Sequence, residues 1–169
     1  KKKNINKESI LVLSSAIKKN NPEMLEAIRR QLPIYKRGEM LANIVSLTKN
    51  IVVVGSHGKT TTTSLIASIF QETKIDPTII NGGVINSINN SAKLGKSEWS
   101  ILEADESDCS FVYTPPTYAI ITNIDREHMD FYKSLDELKK YFIQFIQKVP
   151  SFGKSFICID DKINNEIVK

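Results

Sequence analysis

The sequence predicts an α/β fold built on a mostly parallel sheet, and three features predict it. The run Ile51-Val52-Val53-Val54 is continuously β-branched or apolar, as expected of a strand covered on both faces. A turn holding two glycines and then a helical pattern follow it directly. Further along, short apolar strands are separated by helical segments, the arrangement that joins parallel strands by crossovers.

Taken in order, Ile10-Leu11-Val12-Leu13 reads as a short buried strand, and Ser14-Ser15-Ala16 opens a turn. Asn21-Pro22-Glu23 is an N-cap with proline at the first helical position, and Met24, Leu25 and Ile28 form the apolar stripe of a helix ending near Gln31. Pro33 stops it. Met40, Leu41, Ile44, Val45 and Leu47 are spaced for one face of a second helix, which runs into the strand Ile51 to Val54. A helix from about Thr60 to Gln71 follows, then strands around Thr78 to Ile80, Trp99 to Leu102 and Tyr118 to Thr122. A helix from Ser134 to Lys148 and a strand from Ser155 to Ile159 complete the pattern. The stretch Asn81 to Lys96, rich in Asn, Gly and Ser, is expected to be a long functional loop.

The 169 residues, 41% hydrophobic and 25% charged, are enough for one good core, so one domain or one and a piece is expected. The net charge of +4 comes from lysines scattered along the chain, which points to a solvated surface and to no nucleic-acid partner. Lys1-Lys2-Lys3 precedes no apolar signal core, and no apolar run approaches the roughly 18 residues a spanning helix needs. A cytoplasmic protein without membrane insertion is expected. Cys109 and Cys158 lack CxxC spacing and are read as reduced structural thiols.

The strongest chemical signal is Gly55-Ser56-His57-Gly58-Lys59-Thr60, between a strand and a helix start. A tight glycine turn lets backbone N–H groups converge on phosphate oxygens, and the helix N-terminus adds positive dipole. Lys59 then reaches the β- and γ-phosphates, and Thr60 offers a hydroxyl to Mg²⁺. A turn that merely linked strand to helix would not need the Lys-Thr pair. The loop departs from G-x-x-x-x-G-K-[ST], because Val53 stands where the first glycine would be and only two residues separate Gly55 from Gly58. That shortening, with no obvious Asn-Lys-x-Asp segment, disfavours a general GTPase or ATPase.

Two further segments follow strand ends. Glu103-Ala104-Asp105-Glu106-Ser107-Asp108 closes the strand Trp99 to Leu102, and Glu103 there is placed to hold Mg²⁺, an ion that takes oxygen ligands. A solvated acidic turn is the alternative. Thr122-Asn123-Ile124-Asp125-Arg126-Glu127-His128-Met129-Asp130 follows the strand Tyr118 to Thr122. A lone histidine such as His128 is usually structural or simply exposed, but its place beyond a third strand end argues for a shared site.

Together GSHGKTTTTS, the NGG at 81–83, EADESDCSF at 103–111 and TNIDREHMD at 122–130 resemble the Mur ligase family in order and spacing, a relative of folylpolyglutamate synthase. Ser14 to Ile17, Asn21-Pro22-Glu23 and Arg37 to Leu41 resemble the end of that family's first domain and its linker. The resemblance implies a P-loop central domain with a mostly parallel sheet over 49–169, preceded in 1–48 by the tail of a Rossmann-like, UDP-binding domain. With no glycine-rich loop before Ile10 and no C-terminal domain after Lys169, the chain is expected to be an internal fragment, inactive alone.

Glu106-Ser107-Asp108 with Ser110-Phe111, and His128-Met129-Asp130, resemble the members that join L-alanine to UDP-N-acetylmuramate in peptidoglycan biosynthesis. The murein tripeptide recycling members typically have Tyr where Ser107 stands. The resemblance implies ATP and Mg²⁺ as cofactors and an acyl phosphate on the way to the amide. It places Gly55, Ser56, His57, Gly58, Lys59, Thr60 and Thr61 on the nucleotide phosphates, Thr60 and Glu103 on one Mg²⁺ and His128 on a second. Lys59, Glu103 and His128 would be catalytic, and His57, Asn81, Gly82 and Asn123 would face the nucleotide sugar. Ser56 stands where Thr is commoner. A catalytically incomplete phosphate-binding module is the alternative.

Overall fold

The computed structural model describes every residue except Ser15, Ser87, Asp108 and Lys169. Ser15 of the expected turn and Asp108 of the acidic segment thus lie outside the described residues. The chain opens with a small unit: strand β1 (Leu11–Leu13), helix α1 (Pro22–Arg29) and strand β2 (Ile34–Lys36). The two strands pair in parallel, Leu11 opposite Ile34 and Leu13 opposite Lys36, so α1 is a crossover. Asn21 caps α1 as its sequence predicts, accepting from the amides of Glu23 and Met24. At the other end Gln31 takes the left-handed conformation (φ 57°), and Leu32 N–H bonds back to Ala27 O.

The buried face of α1 is not the expected stripe. Leu25 and Ile28 are exposed, whereas Glu26 and Ala27 are buried. Glu26 accepts from Arg29 and Arg30, and these guanidinium hydrogen bonds pull its carboxyl down to about 2. Hydrophobicity at helical spacing marked the wrong face because a paired carboxylate takes the inner position.

Helix α2 (Arg37–Val45) leads into the central sheet, burying Ala42 and Val45 while Ile44 and Leu47 stay exposed. The sheet consists of β3 (Lys49–Val54), β4 (Thr78–Ile85), β5 (Asn90–Lys93), β6 (Trp99–Glu103), β7 (Tyr118–Ile121) and β8 (Lys154–Ile157), in the order β5-β4-β6-β3-β7-β8. All neighbours are parallel except β4 and β5. The order places β3 at the middle, buried from Asn50 to Val54, which explains why that strand is the most continuously apolar.

Helices α3 (Lys59–Gln71), α4 (Leu135–Ile146) and α5 (Lys162–Ile167) complete the elements. Ala67 of α3 packs with Ile79 and Ile85, while Leu138, Phe142 and Phe145 of α4 join Val52, Val54, Leu102, Ala119 and Ile121 in the main core. Phe111, in a short 3-10 turn (Ser110–Tyr113), reaches the same core with its ring 5.1 Å from that of Phe142. No described helix is long and apolar enough to cross a membrane. Neither cysteine enters a disulfide.

The expected long loop over 81–96 is corrected. Residues 81–85 extend β4, and Asn90–Lys93 return antiparallel as β5. Glycine content argued for a loop, yet Gly82 serves a close approach. A Cβ there would stand 2.8 Å from a Glu103 carboxylate oxygen.

Candidate active site

Strands β3, β6 and β7 are adjacent and parallel, so the segments that follow them emerge along one edge of the sheet. This is the edge at which open parallel sheets bind ligands. The loop after β3 is held by the segment after β7. Ser56 N–H donates to Asn123 O (2.9 Å) and His57 N–H to Asn123 Oδ1 (2.8 Å). The Thr122 hydroxyl and Asn123 Nδ2 both donate to His57 O, at 2.7 and 2.9 Å. Asn123 therefore clamps the loop from both sides of His57.

Gly55 and Gly58 take φ of 136° and 78°. A Cβ on Gly55 would meet Thr122 Oγ1 at 2.1 Å and Asn123 O at 2.8 Å. Gly55→Ala is therefore expected to cost about 2 kcal/mol or more, a drop of several degrees in Tm by thermal melting. A Tm within experimental error of the wild type would show that the loop relaxes freely.

Gly58 is the N-cap of α3 and supplies no side chain to it. The bond from Thr62 N–H to Gly58 O is 2.9 Å, so the amides of Lys59, Thr60 and Thr61 precede the helical ladder and supply its positive end. Thr60 Oγ1 donates to Glu103 Oε2 at 2.9 Å, and Gly82 N–H donates to the same oxygen at 2.9 Å. The Lys59 ammonium donates to Gly55 O (2.6 Å) and Ser56 O (3.2 Å) and stands 2.9 Å from Glu106 Oε2 and 3.0 Å from Oε1.

Glu106, only 1% exposed, lies beyond the acidic strand end. Burial pushes its carboxyl up from the ordinary range, and the Lys59 ammonium opposes that shift. His128, in the left-handed conformation (φ 57°), has Nε2 3.5 Å from Glu106 Oε1. Glu106, Glu127 and His128 bring one ligand atom each within 4.8 Å of one another. The oxygen pair of Thr60 and Glu103 suits Mg²⁺, whereas the cluster around His128 also suits a softer ion such as Mn²⁺.

A cavity of about 600 Å³ opens beside these groups, lined among others by Arg37, Lys59, Asn81, Gly82, Glu103 and Asp105. Asn81 is buried and donates to Ser64 Oγ and Gly83 O, while its Oδ1 has no partner among the described residues. The residues expected to face a nucleotide sugar are divided. Asn81 and Gly82 line this cavity, but His57 and Asn123 line a separate one of about 400 Å³ with Asp160, Asp161 and Lys162. His57 is exposed, with Nε2 3.6 Å from both Asp125 and Glu127 carboxylates. Thr61 is exposed on the first turn of α3 and lines neither cavity. Sequence reasoning placed Glu106 in the acidic segment without giving it a site role, and it overlooked Tyr132, whose hydroxyl donates to Glu106 O. An acidic residue three places after Glu103 was the available signal.

A mostly parallel sheet with a short glycine loop and a Lys-Thr pair at its C-terminal edge defines a P-loop type of α/β domain. More particularly, the chain belongs to the Mur ligase family: the profile described as "Mur ligase middle domain" matches residues 53–169, and "Mur ligase family, catalytic domain" matches 1–49. It is similar to the UDP-N-acetylmuramate–L-alanine ligase of Pelagibacter ubique, 76% identical over 167 residues, covering 99% of this chain and 36% of that protein. The corresponding Rickettsia bellii ligase is 52% identical, covering 98% and 34%. The chain thus spans about a third of the length of these curated relatives. Among solved structures, UDP-N-acetylmuramate-alanine ligase from Thermotoga maritima superposes with a TM-score of 0.82 at 25% identity, over 94% of this chain and 37% of that one. A Neisseria ligase for UDP-N-acetylmuramate and L-alanyl-gamma-D-glutamyl-meso-diaminopimelate shares the fold at TM-score 0.84 and 24% identity, over 94% and 54%.

Proposed function

We propose that this chain carries the nucleotide-phosphate half of the active site of a cytoplasmic ligase that joins L-alanine to UDP-N-acetylmuramate, consuming ATP. The observation that carries the reading is the convergence of Lys59, Thr60 and Glu103 on one sheet edge beside a cavity. The curated relatives named above, both L-alanine ligases, support L-alanine over a peptide as the incoming amine. We assign 1–48 to the end of a UDP-binding domain and 49–169 to the central ATP-binding domain.

The muramoyl carboxylate attacks the γ-phosphorus of ATP, the bond to ADP breaks, and an acyl phosphate forms. The alanine amine then attacks the acyl carbon, phosphate leaves with the bonding electrons, and a proton is lost to give the amide. Both reactants of the first step are anions, so the residues must offset charge before they can align atoms. Lys59 and the amides at the start of α3 would face the transferring oxygens once nucleotide is bound. The Asn123 clamp fixes the loop, so its backbone amides need little rearrangement as charge develops. Thr60 and Glu103 would hold one Mg²⁺, and His128 a second, which when bound supply Lewis-acid stabilisation of the phosphoryl oxygens. The orphaned Asn81 Oδ1 is an acceptor available to a donor on the sugar nucleotide.

The test is mass spectrometry of the full-length ligase with UDP-N-acetylmuramate, ATP, Mg²⁺ and equal L-alanine and L-alanyl-γ-D-glutamyl-diaminopimelate. UDP-N-acetylmuramoyl-L-alanine with equimolar ADP is expected. Preferential use of the tripeptide would instead establish the recycling activity. The 169-residue chain alone is expected to bind Mg-ATP and form no amide.

A further inference from the structure

Lys59 has three N–H donors, and the structure commits all of them within the protein: to Gly55 O, to Ser56 O and to the Glu106 carboxylate. The ammonium is folded back over its own loop, and its side chain is only 14% exposed. A nucleotide phosphate must therefore take Lys59 from an existing partner. The two carbonyls are neutral and belong to the loop itself, whereas Glu106 is an anion on a different segment. Any phosphate that approaches Lys59 closely also approaches that negative charge.

Glu106 is held firmly enough to compete. Its carbonyl accepts from the hydroxyl of the buried Tyr132 and from Cys109 N–H (3.1 Å). The turn that follows is anchored in the core by Phe111, whose ring lies against those of Phe142 and Phe145. His128 Nε2 also stands 3.5 Å from Glu106 Oε1. Glu106 thus bridges the phosphate loop and the segment after β7.

We propose that Glu106 is a positioning residue that holds Lys59 in the nucleotide-free site and competes with nucleotide phosphate for its ammonium, so that polyphosphate binds well only with a divalent cation. The inference rests on the phosphate-binding reading of the Gly55–Thr60 loop. Glu106 acts through Lys59, and its charge opposes an unneutralised triphosphate while mattering less to a metal complex.

The experiment is isothermal titration of the 169-residue chain with ATP, once in EDTA and once in Mg²⁺. Glu106→Gln keeps the side chain's shape and removes its charge. It is expected to tighten metal-free ATP binding by at least about tenfold, to tighten Mg-ATP less, and so to shrink the effect of Mg²⁺. Unchanged or weaker binding in EDTA overturns the proposal. Lys59→Ala separates the two readings: if it binds ATP like the wild type, the phosphate-loop assignment itself fails. If Lys59→Ala loses ATP while Glu106→Gln leaves metal-free binding unaltered, only the competition fails. Should Glu106→Gln not fold, the wild-type chain gives a variant-free check by NMR. ATP is expected to shift the Lys59 Nζ protons and the Glu106 carboxylate carbon with the same midpoint, and a Glu106 signal that stays put while Lys59 saturates overturns the proposal.

Discussion

Lys59→Ala in the full-length ligase is expected to lower turnover by at least about a hundredfold and to destabilise the fold as well. The first effect follows from losing the side-chain positive charge at the phosphate loop. The second follows from the buried pair, because Glu106, 2% exposed at its side chain, would be left as an uncompensated carboxylate. Removing one partner of a buried ion pair costs about 3 kcal/mol or more. The double variant Lys59→Ala/Glu106→Gln is therefore expected to recover much of the lost Tm while remaining inactive. Steady-state assays and thermal melting of the three variants check this. Wild-type turnover in Lys59→Ala would refute the assignment, and a double variant no more stable than the single one would show that the pair does not bear on stability.

Glu103→Ala and His128→Ala are each expected to reduce turnover by several kcal/mol of lost transition-state stabilisation, as when a metal ligand is removed. Their effect on Tm should be far smaller. Among the described residues Glu103 accepts from the Thr60 hydroxyl and the exposed Gly82 amide, both of which water can satisfy. His128 is partly exposed and lies 3.5 Å from its acidic neighbour, beyond a close ion pair. The geometry separates the two roles: Glu103 stands with Thr60, and His128 stands with Glu106 and Glu127. Imidazole favours Mn²⁺ relative to Mg²⁺, so Mn²⁺ should sustain the wild-type enzyme at least as well as Mg²⁺, and His128→Ala should narrow any difference between the ions. Full turnover in both variants would end the metal assignment.

Much of the fold was legible because its signals are local. The β-branched run of β3, the Asn21 cap, and the Gly-x-x-Gly-Lys-Thr turn each act over a few residues, and each appears where its chemistry requires. The shared edge of β3, β6 and β7 followed from their parallel alternation, which put Lys59, Glu103 and His128 on successive strand ends. Tertiary structure alone decided matters that depend on what lies opposite. Leu25 and Ile28 carry the apolar spacing of α1, yet Glu26 is buried because two arginines neutralise it. Asn81 to Ile85 has the composition of a loop, yet it continues β4 because Gly82 lets the strand approach Glu103 and Ile85 packs beside Ala67. The pairing of Lys59 with Glu106, 47 residues apart, depends on the path of the chain between β6 and the turn anchored by Phe111. Residue spacing records periodic contact along one element, while a charge meets its partner only where separate elements have been packed together.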